Sequence, residues 1–178
     1  MDKTIKIRKA EKKDLESISE IYINSWFESY SNFISEENLK NSDFLKKENI
    51  INSYRNWIFF EGNICFVAEK ENNIIGYVYG GDEEEYDSEI YNLFVKKDFQ
   101  RQKIGSELLL HTADYFKKKQ YEDVVIWAFK KSDSCRFYEK LGGKVMEETF
   151  QKIGSQKEEI NVYYWDTDDL ISNLKKRR

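Results

Sequence analysis

The stretch Gln100-Arg101-Gln102-Lys103-Ile104-Gly105-Ser106 gathers amide, guanidinium and ammonium groups around one glycine. Before it runs Glu89-Ile90-Tyr91-Asn92-Leu93-Phe94-Val95, whose composition predicts a strand. After it, Gly105 to about Lys118 reads as a helix. A loop feeding a helix N-terminus can aim several backbone N–H groups at one point. The first helical N–H groups have no partner inside the helix, and the macrodipole adds partial positive charge there. Together these make a seat for phosphate. Arg101 and Lys103 would add mobile positive charge, and Gly105 would let a ligand approach the backbone closely. Other reactive types are sparse. His111 is the single histidine, lies within Leu108-Leu109-Leu110-His111-Thr112, and has no serine or cysteine at motif spacing, so triad chemistry is excluded. Cys65 and Cys135 show no metal-ligand spacing, and no metal is expected.

The elements that must carry these residues follow from periodicity. Ile5 and Ile7 alternate with Lys6 and Arg8, predicting a first strand. Leu15, Ile18, Tyr22 and Trp26 recur at helical spacing, predicting a helix from about Glu11 to Tyr30. Ser35 opens a short helix, and another is expected from Ser42-Asp43 towards Phe60. The runs 64–70 and 74–80 read as a hairpin around Glu71-Asn72-Asn73, with 88–95 as a third consecutive strand. Asp123 to Phe129 is nearly all apolar and predicts a strand buried on both faces. Ser132 or Asp133 should cap a helix bearing Ser134, Phe137, Tyr138 and Leu141, closed by Gly142-Gly143. A last hairpin spans 144–152 and 158–165, and 167–178 reads as a short helix whose terminal basic residues complement its dipole.

Composition narrows the function. With 178 residues, 40% of them hydrophobic, one domain over 1–178 with a sizeable core is expected, 167–178 forming a helical tail. The formal charge of −4 gives no reason to expect nucleic acid as a partner. No run approaches a membrane span, and Met1 to Ile7 lacks the apolar region of a signal peptide, so a cytoplasmic protein with reduced cysteines and no membrane partner is expected.

Two local patterns carry a resemblance. Gln100-x-x-Lys103-x-Gly105, following a strand that ends in Val95, is similar to the Gln/Arg-x-x-Gly-x-Gly/Ala signature of the GNAT superfamily, the Gcn5-related N-acetyltransferases, with Lys103 in place of the first glycine. Phe137-Tyr138-Glu139-Lys140-Leu141-Gly142-Gly143 resembles that family's Phe-Tyr-Glu-Lys-x-Gly-Phe, with Gly143 in place of the last Phe. The element order matches over nearly the whole chain. The fold this implies is mixed α/β, a mostly antiparallel sheet of about seven strands flanked by helices and splayed between strands 4 and 5.

The resemblance also implies roles. Acetyl-CoA would be co-substrate, its pantetheine arm pairing with the backbone of Leu93, Phe94 and Val95 as an added strand would. Its diphosphate would sit on Gln100, Arg101, Gln102, Lys103, Ile104, Gly105 and Ser106, with Ser132 near the asparagine position of many relatives. Glu89 would be the base, since an alkylamine with a pKa of roughly 10.4 arrives protonated. Period two would place Glu89, Tyr91, Leu93 and Val95 on one face. Tyr138 would donate a proton to the departing thiolate. Trp26 and Tyr30, four apart, resemble a Trp-x-x-x-Tyr segment near the acceptor, and the acidic loop at 82–89 could attract a cationic amine. The expected function is acetyl transfer to a primary amine of a small molecule such as a polyamine. Alternatives are a protein N-terminus or lysine as acceptor, or a cofactor sensor without turnover. Pairing of the last hairpin between subunits would give a homodimer.

Overall fold

A computed structural model describes residues 4–177. The first three residues, part of the segment read for a signal peptide, and the terminal Arg178 lie outside the described residues. Seven strands form one sheet in the order β1-β2-β3-β4-β5-β7-β6. They are β1 Lys6–Lys9, β2 Ile64–Lys70, β3 Asn73–Asp82, β4 Ser88–Val95, β5 Asp123–Phe129, β6 Lys144–Ile153 and β7 Gln156–Asp166. Every neighbouring pair is antiparallel except β4 and β5.

The helices are α1 Leu15–Tyr30, α2 Glu36–Lys40, α3 Lys47–Trp57, α4 Ile104–Lys118, α5 Ser134–Lys140 and α6 Thr167–Lys175. The segment expected to start a helix at Ser42 makes a 3-10 turn at Asp43–Leu45, and Lys46 is extended before α3 begins. One face of the sheet is covered by α4, α5 and α6 through Leu108, Phe116, Tyr138, Leu170 and Leu174. The opposite face is covered by α1 and α3, where Ile18, Ile21 and Tyr54 pack on Val67 and Tyr77. Further along α1, Trp26 joins Ile34, Leu39, Phe129, Ile153 and Ile160 in a third cluster.

Two devices fix α1 over the sheet. At its start, buried Asp14 accepts from the Arg8 guanidinium at 2.6 and 2.9 Å and from the Glu11 N–H at 2.8 Å. Beyond its end, Gln156 of the last hairpin clasps the segment leading into α2. Its Oε1 accepts from Ser35 N–H and Asn38 Nδ2, and its Nε2 donates to the Phe33 carbonyl. No helix among the described residues is long and apolar enough to cross a membrane.

Candidate active site

Strand β4 is not a plain ribbon. Tyr79 of β3 faces Asn92 and Gly80 faces Ile90, so Tyr91 is an extra residue with no partner. Such a bulge shifts the phase of the side chains beyond it. Glycine is required opposite: a Cβ on Gly80 would lie 2.5 Å from the Glu89 carbonyl oxygen. The bulge corrects the period-two expectation. Leu93 and Val95 turn with Ile90 towards α4. Glu89, Tyr91, Asn92 and Phe94 are left together on the α1 side.

Pairing between β4 and β5 then stops. Only Glu89↔Val125 and Ile90↔Ile126 are matched, after which the strands part. The Lys96 N–H donates to the Ile75 carbonyl, so antiparallel alternation makes 77/94 and 79/92 the other bonded pairs of β3 and β4. Leu93 and Val95 therefore turn their backbone groups into the gap. Phe94 does not, since its backbone is directed at β3 and only its ring faces the α1 side. The Val95 carbonyl already accepts from Gln100 Nε2 at 3.0 Å.

At the open end of the gap, a 3-10 turn at Lys97–Phe99 leads into Gln100–Lys103. Arg101 and Lys103 both adopt left-handed backbone, with φ of 62° and 63°. This explains why a glycine would suit position 103; lysine holds that conformation at a cost of about 1 kcal/mol. The Glu107 N–H donates to the Lys103 carbonyl at 3.0 Å and opens the ladder of α4. Amides of Ile104, Gly105 and Ser106 precede it and point out of the helix end. A Cβ on Gly105 would meet only Phe137 Cζ, at 3.8 Å, so the surface above the glycine is open. Gap-facing amides, an open helix end and two cationic side chains are a donor set that fits an extended amide-bearing arm ending in a diphosphate.

On the α1 side lies a cavity of about 390 Å³. From α1 it is lined by Tyr22, Trp26 and Tyr30, spaced four apart on one stripe. β4 adds Glu89, Tyr91, Asn92 and Phe94, β5 adds Trp127 and Phe129, and the last hairpin adds Phe150, Gln151 and Ile160. The rings pack edge to face, with Trp26–Tyr30 and Tyr30–Phe129 centroids both 4.9 Å apart. Trp127 corrects the reading of β5 as buried on both faces, because it is 47% exposed at the mouth. Glu89 stands where β4 and β5 part. Burial first, and then the negative charge of Glu83, push its carboxyl up to about 7.

Tyr138 lies in the main core, 6% exposed, between Tyr163 and Trp165. Its phenol is held well above its ordinary value by burial and then by the nearby Tyr30, so it stays protonated at neutral pH. Ser132 is buried; its Oγ lies 2.9 Å from Ser134 Oγ and accepts the Ser134 N–H, whereas the capping residue Asp133 contributes no side-chain bond. His111 Nδ1 is 2.8 Å from the Glu107 carbonyl and its ring packs on Phe66, a packing role. No group of three or more His, Cys, Asp or Glu able to hold a metal occurs among the described residues.

The profile of the Acetyltransferase (GNAT) family matches residues 16–143, which hold the gap, the loop and the start of α5. The chain belongs to the GNAT family. It is an N-acetyltransferase by that membership. Uncharacterized N-acetyltransferase YuaI of Bacillus subtilis (strain 168) is 23% identical over 176 residues, covering 96% of this chain and 98% of its own. Among solved structures, PaiA N-acetyltransferase from Thermoplasma acidophilum in complex with coenzyme A superimposes with a TM-score of 0.76 at 24% identity, over 92% of this chain and 99% of its own. YncA from Salmonella typhimurium with its cofactor acetyl-CoA gives 0.72 at 21% identity, over 92% and 94%. Both share the GNAT fold seen here. Of the cavity wall in this GNAT chain, sequence reasoning found Trp26, Tyr30 and Glu89. It missed Tyr22, although that residue shares the α1 stripe with Trp26 and Tyr30, and it missed Asn92, Phe94, Phe129, Phe150 and Gln151; the bulge is what turns Asn92 and Phe94 to the side of Glu89.

Proposed function

We propose that the whole chain acts as one acetyltransferase domain that moves an acetyl group from acetyl-CoA directly onto a primary amine of a small molecule. The observation that carries this is the position and state of Glu89. A carboxylate with a pKa of about 7 stands at the inner end of an aromatic cavity, beside the point where the two parallel strands part. Two solved structures of the same fold hold coenzyme A or acetyl-CoA, which supports the same ligand here.

Leu93 and Val95 would hold the pantetheine arm by main-chain hydrogen bonds, and the amides from Arg101 to Ser106 would bind the diphosphate, with the Arg101 and Lys103 side chains adding charge. Gln100 and Gln102 act on the loop rather than on the ligand: Gln100 bonds the Val95 carbonyl and Gln102 the Asp98 carbonyl at 3.2 Å. Ser132, at the position of the asparagine of many relatives, would offer its hydroxyl to the pantetheine arm. Bound acetyl-CoA supplies an activated acetyl carbonyl. Glu89, ionised above pH 7, takes the proton from the incoming ammonium, directly or through water, and frees the nitrogen lone pair. That nitrogen forms the new bond to the acetyl carbon as the carbon–sulfur bond breaks. Tyr138 donates its phenolic proton to the departing sulfur and is reprotonated by the second proton that the acetylated nitrogen sheds. Trp26 and Tyr30 position the acceptor.

Thiol release from acetyl-CoA, measured with a panel of amines and short peptides, tests this reading. Release with a small amine and not with peptides is expected. If calorimetry detects no binding of coenzyme A or acetyl-CoA, the proposal fails.

A further inference from the structure

The charge balance of the cavity goes further than "a primary amine". We propose that its acceptor is a monoamine with an aromatic or similarly apolar body, bound with its ammonium towards Glu89. This rests on the acetyltransferase reading above and narrows its substrate.

Eight rings wall the cavity: three from α1, two from β4, two from β5 and one from β6. Against them stands one carboxylate, Glu89; Asn92, Gln151, and the hydroxyl and indole N–H groups of the tyrosines and tryptophans are the other polar groups of the wall, and none of these carries a charge. The sequence offers the acidic loop before β4 as a lure for a polycation, but no carboxylate from Asp82 to Asp87 lines the cavity. Asp82 accepts from the Tyr121 hydroxyl. Glu83 accepts the N–H groups of Glu85 and Tyr86, and Asp87 accepts the N–H of Glu122. None of the three lines the cavity. A first ammonium therefore finds a counter-charge at Glu89 in the wall; Glu83 acts on Glu89 from outside the lining, and a second ammonium among the rings would have no carboxylate in contact with it. Burying an uncompensated charge is costly.

The mouth supports the same conclusion. Trp127, Phe150 and Tyr91 are 47%, 53% and 37% exposed, although each belongs to a strand that could have turned a polar residue outward. All three line the cavity while open to solvent, and an apolar body seated against them would cover them. A cavity of about 390 Å³ falls within the range used for small ligands.

The test compares kcat/KM of the full chain for 2-phenylethylamine, tryptamine, n-butylamine, putrescine and spermidine, with acetyl-CoA binding followed separately by calorimetry. The aromatic monoamines should exceed spermidine, putrescine and n-butylamine at least tenfold. Trp127→Ala and Phe150→Ala should each raise KM for 2-phenylethylamine severalfold while n-butylamine changes little. A preference for spermidine or putrescine overturns the monoamine class and leaves the acetyltransferase reading standing. The same holds if acetyl-CoA binds but no amine of the panel is acetylated. Absence of acetyl-CoA binding removes both.

Discussion

The two sides of β4 offer different chemistry. Towards β5 and α4 the strand presents main chain: the backbone of Leu93 and Val95, then the amides at the head of α4. Towards α1 it presents side chains, with Glu89, Asn92 and Phe94 facing a wall of aromatic rings. Main-chain recognition depends on conformation and tolerates residue changes, as Lys103 shows by holding a left-handed angle that glycine holds more easily. Side-chain recognition depends on residue identity.

The sharpest way to break this contrast is Glu89→Gln. It should lower kcat/KM by about 10²–10³ and leave acetyl-CoA affinity unchanged by calorimetry. The wild-type profile should rise with pH through about 7, and the variant should lose that limb. Stability gives an independent check. A carboxyl raised from 4.5 to about 7 by folding keeps its proton in the native state while the unfolded chain loses it. The wild type should therefore lose stability between those two pH values, and the Gln variant should not. The difference should reach about 2–3 kcal/mol at pH 8 by chemical denaturation. An unchanged profile would remove Glu89 from the chemistry.

Gly105→Asp attacks the other side. A carboxylate at the head of α4 should weaken acetyl-CoA binding at least about tenfold by repelling the diphosphate, yet raise helix stability by about 0.3–1 kcal/mol. Opposite signs in titration calorimetry and thermal melting would confirm that the seat is electrostatic and main-chain. Tyr138→Phe should lower kcat about tenfold with acetyl-CoA affinity intact; a shift in melting temperature alone would make Tyr138 a core residue. The smallest effect is expected from Lys103→Gly, which relieves the left-handed strain and should stabilise the chain by about 0.5 kcal/mol. The loss of a cation should weaken acetyl-CoA binding only severalfold.

Local patterns made the main-chain side legible. The loop, the start of α4 and the helix bearing Tyr138 lie near the predicted positions, because each depends on neighbours in sequence. Even the missing aromatic at Gly143 has an account: a side chain there would begin 2.4 Å from the Trp165 ring, which occupies the space. The side-chain wall was mostly hidden. Phe129, Phe150 and Gln151 meet the α1 rings from β5 and β6, far along the chain, a convergence that no local pattern encodes. Trp127 reads as one more apolar residue in an apolar run, and only the tertiary arrangement exposes it. The bulge at Tyr91 left no trace that alternation could detect, so Leu93 and Val95 were assigned to the wrong face.

That single unpaired tyrosine acts like a crank in a shaft. Through it, one short strand drives two mechanisms at once, and their relative setting is fixed by residue count instead of residue type. Substitutions along 88–95 can accumulate without disturbing that setting. Inserting one residue after Asn92, with no second bulge to absorb it, would turn Leu93 and Val95 inside out, bringing aliphatic chains among the rings and pressing Phe94 into the core under α4.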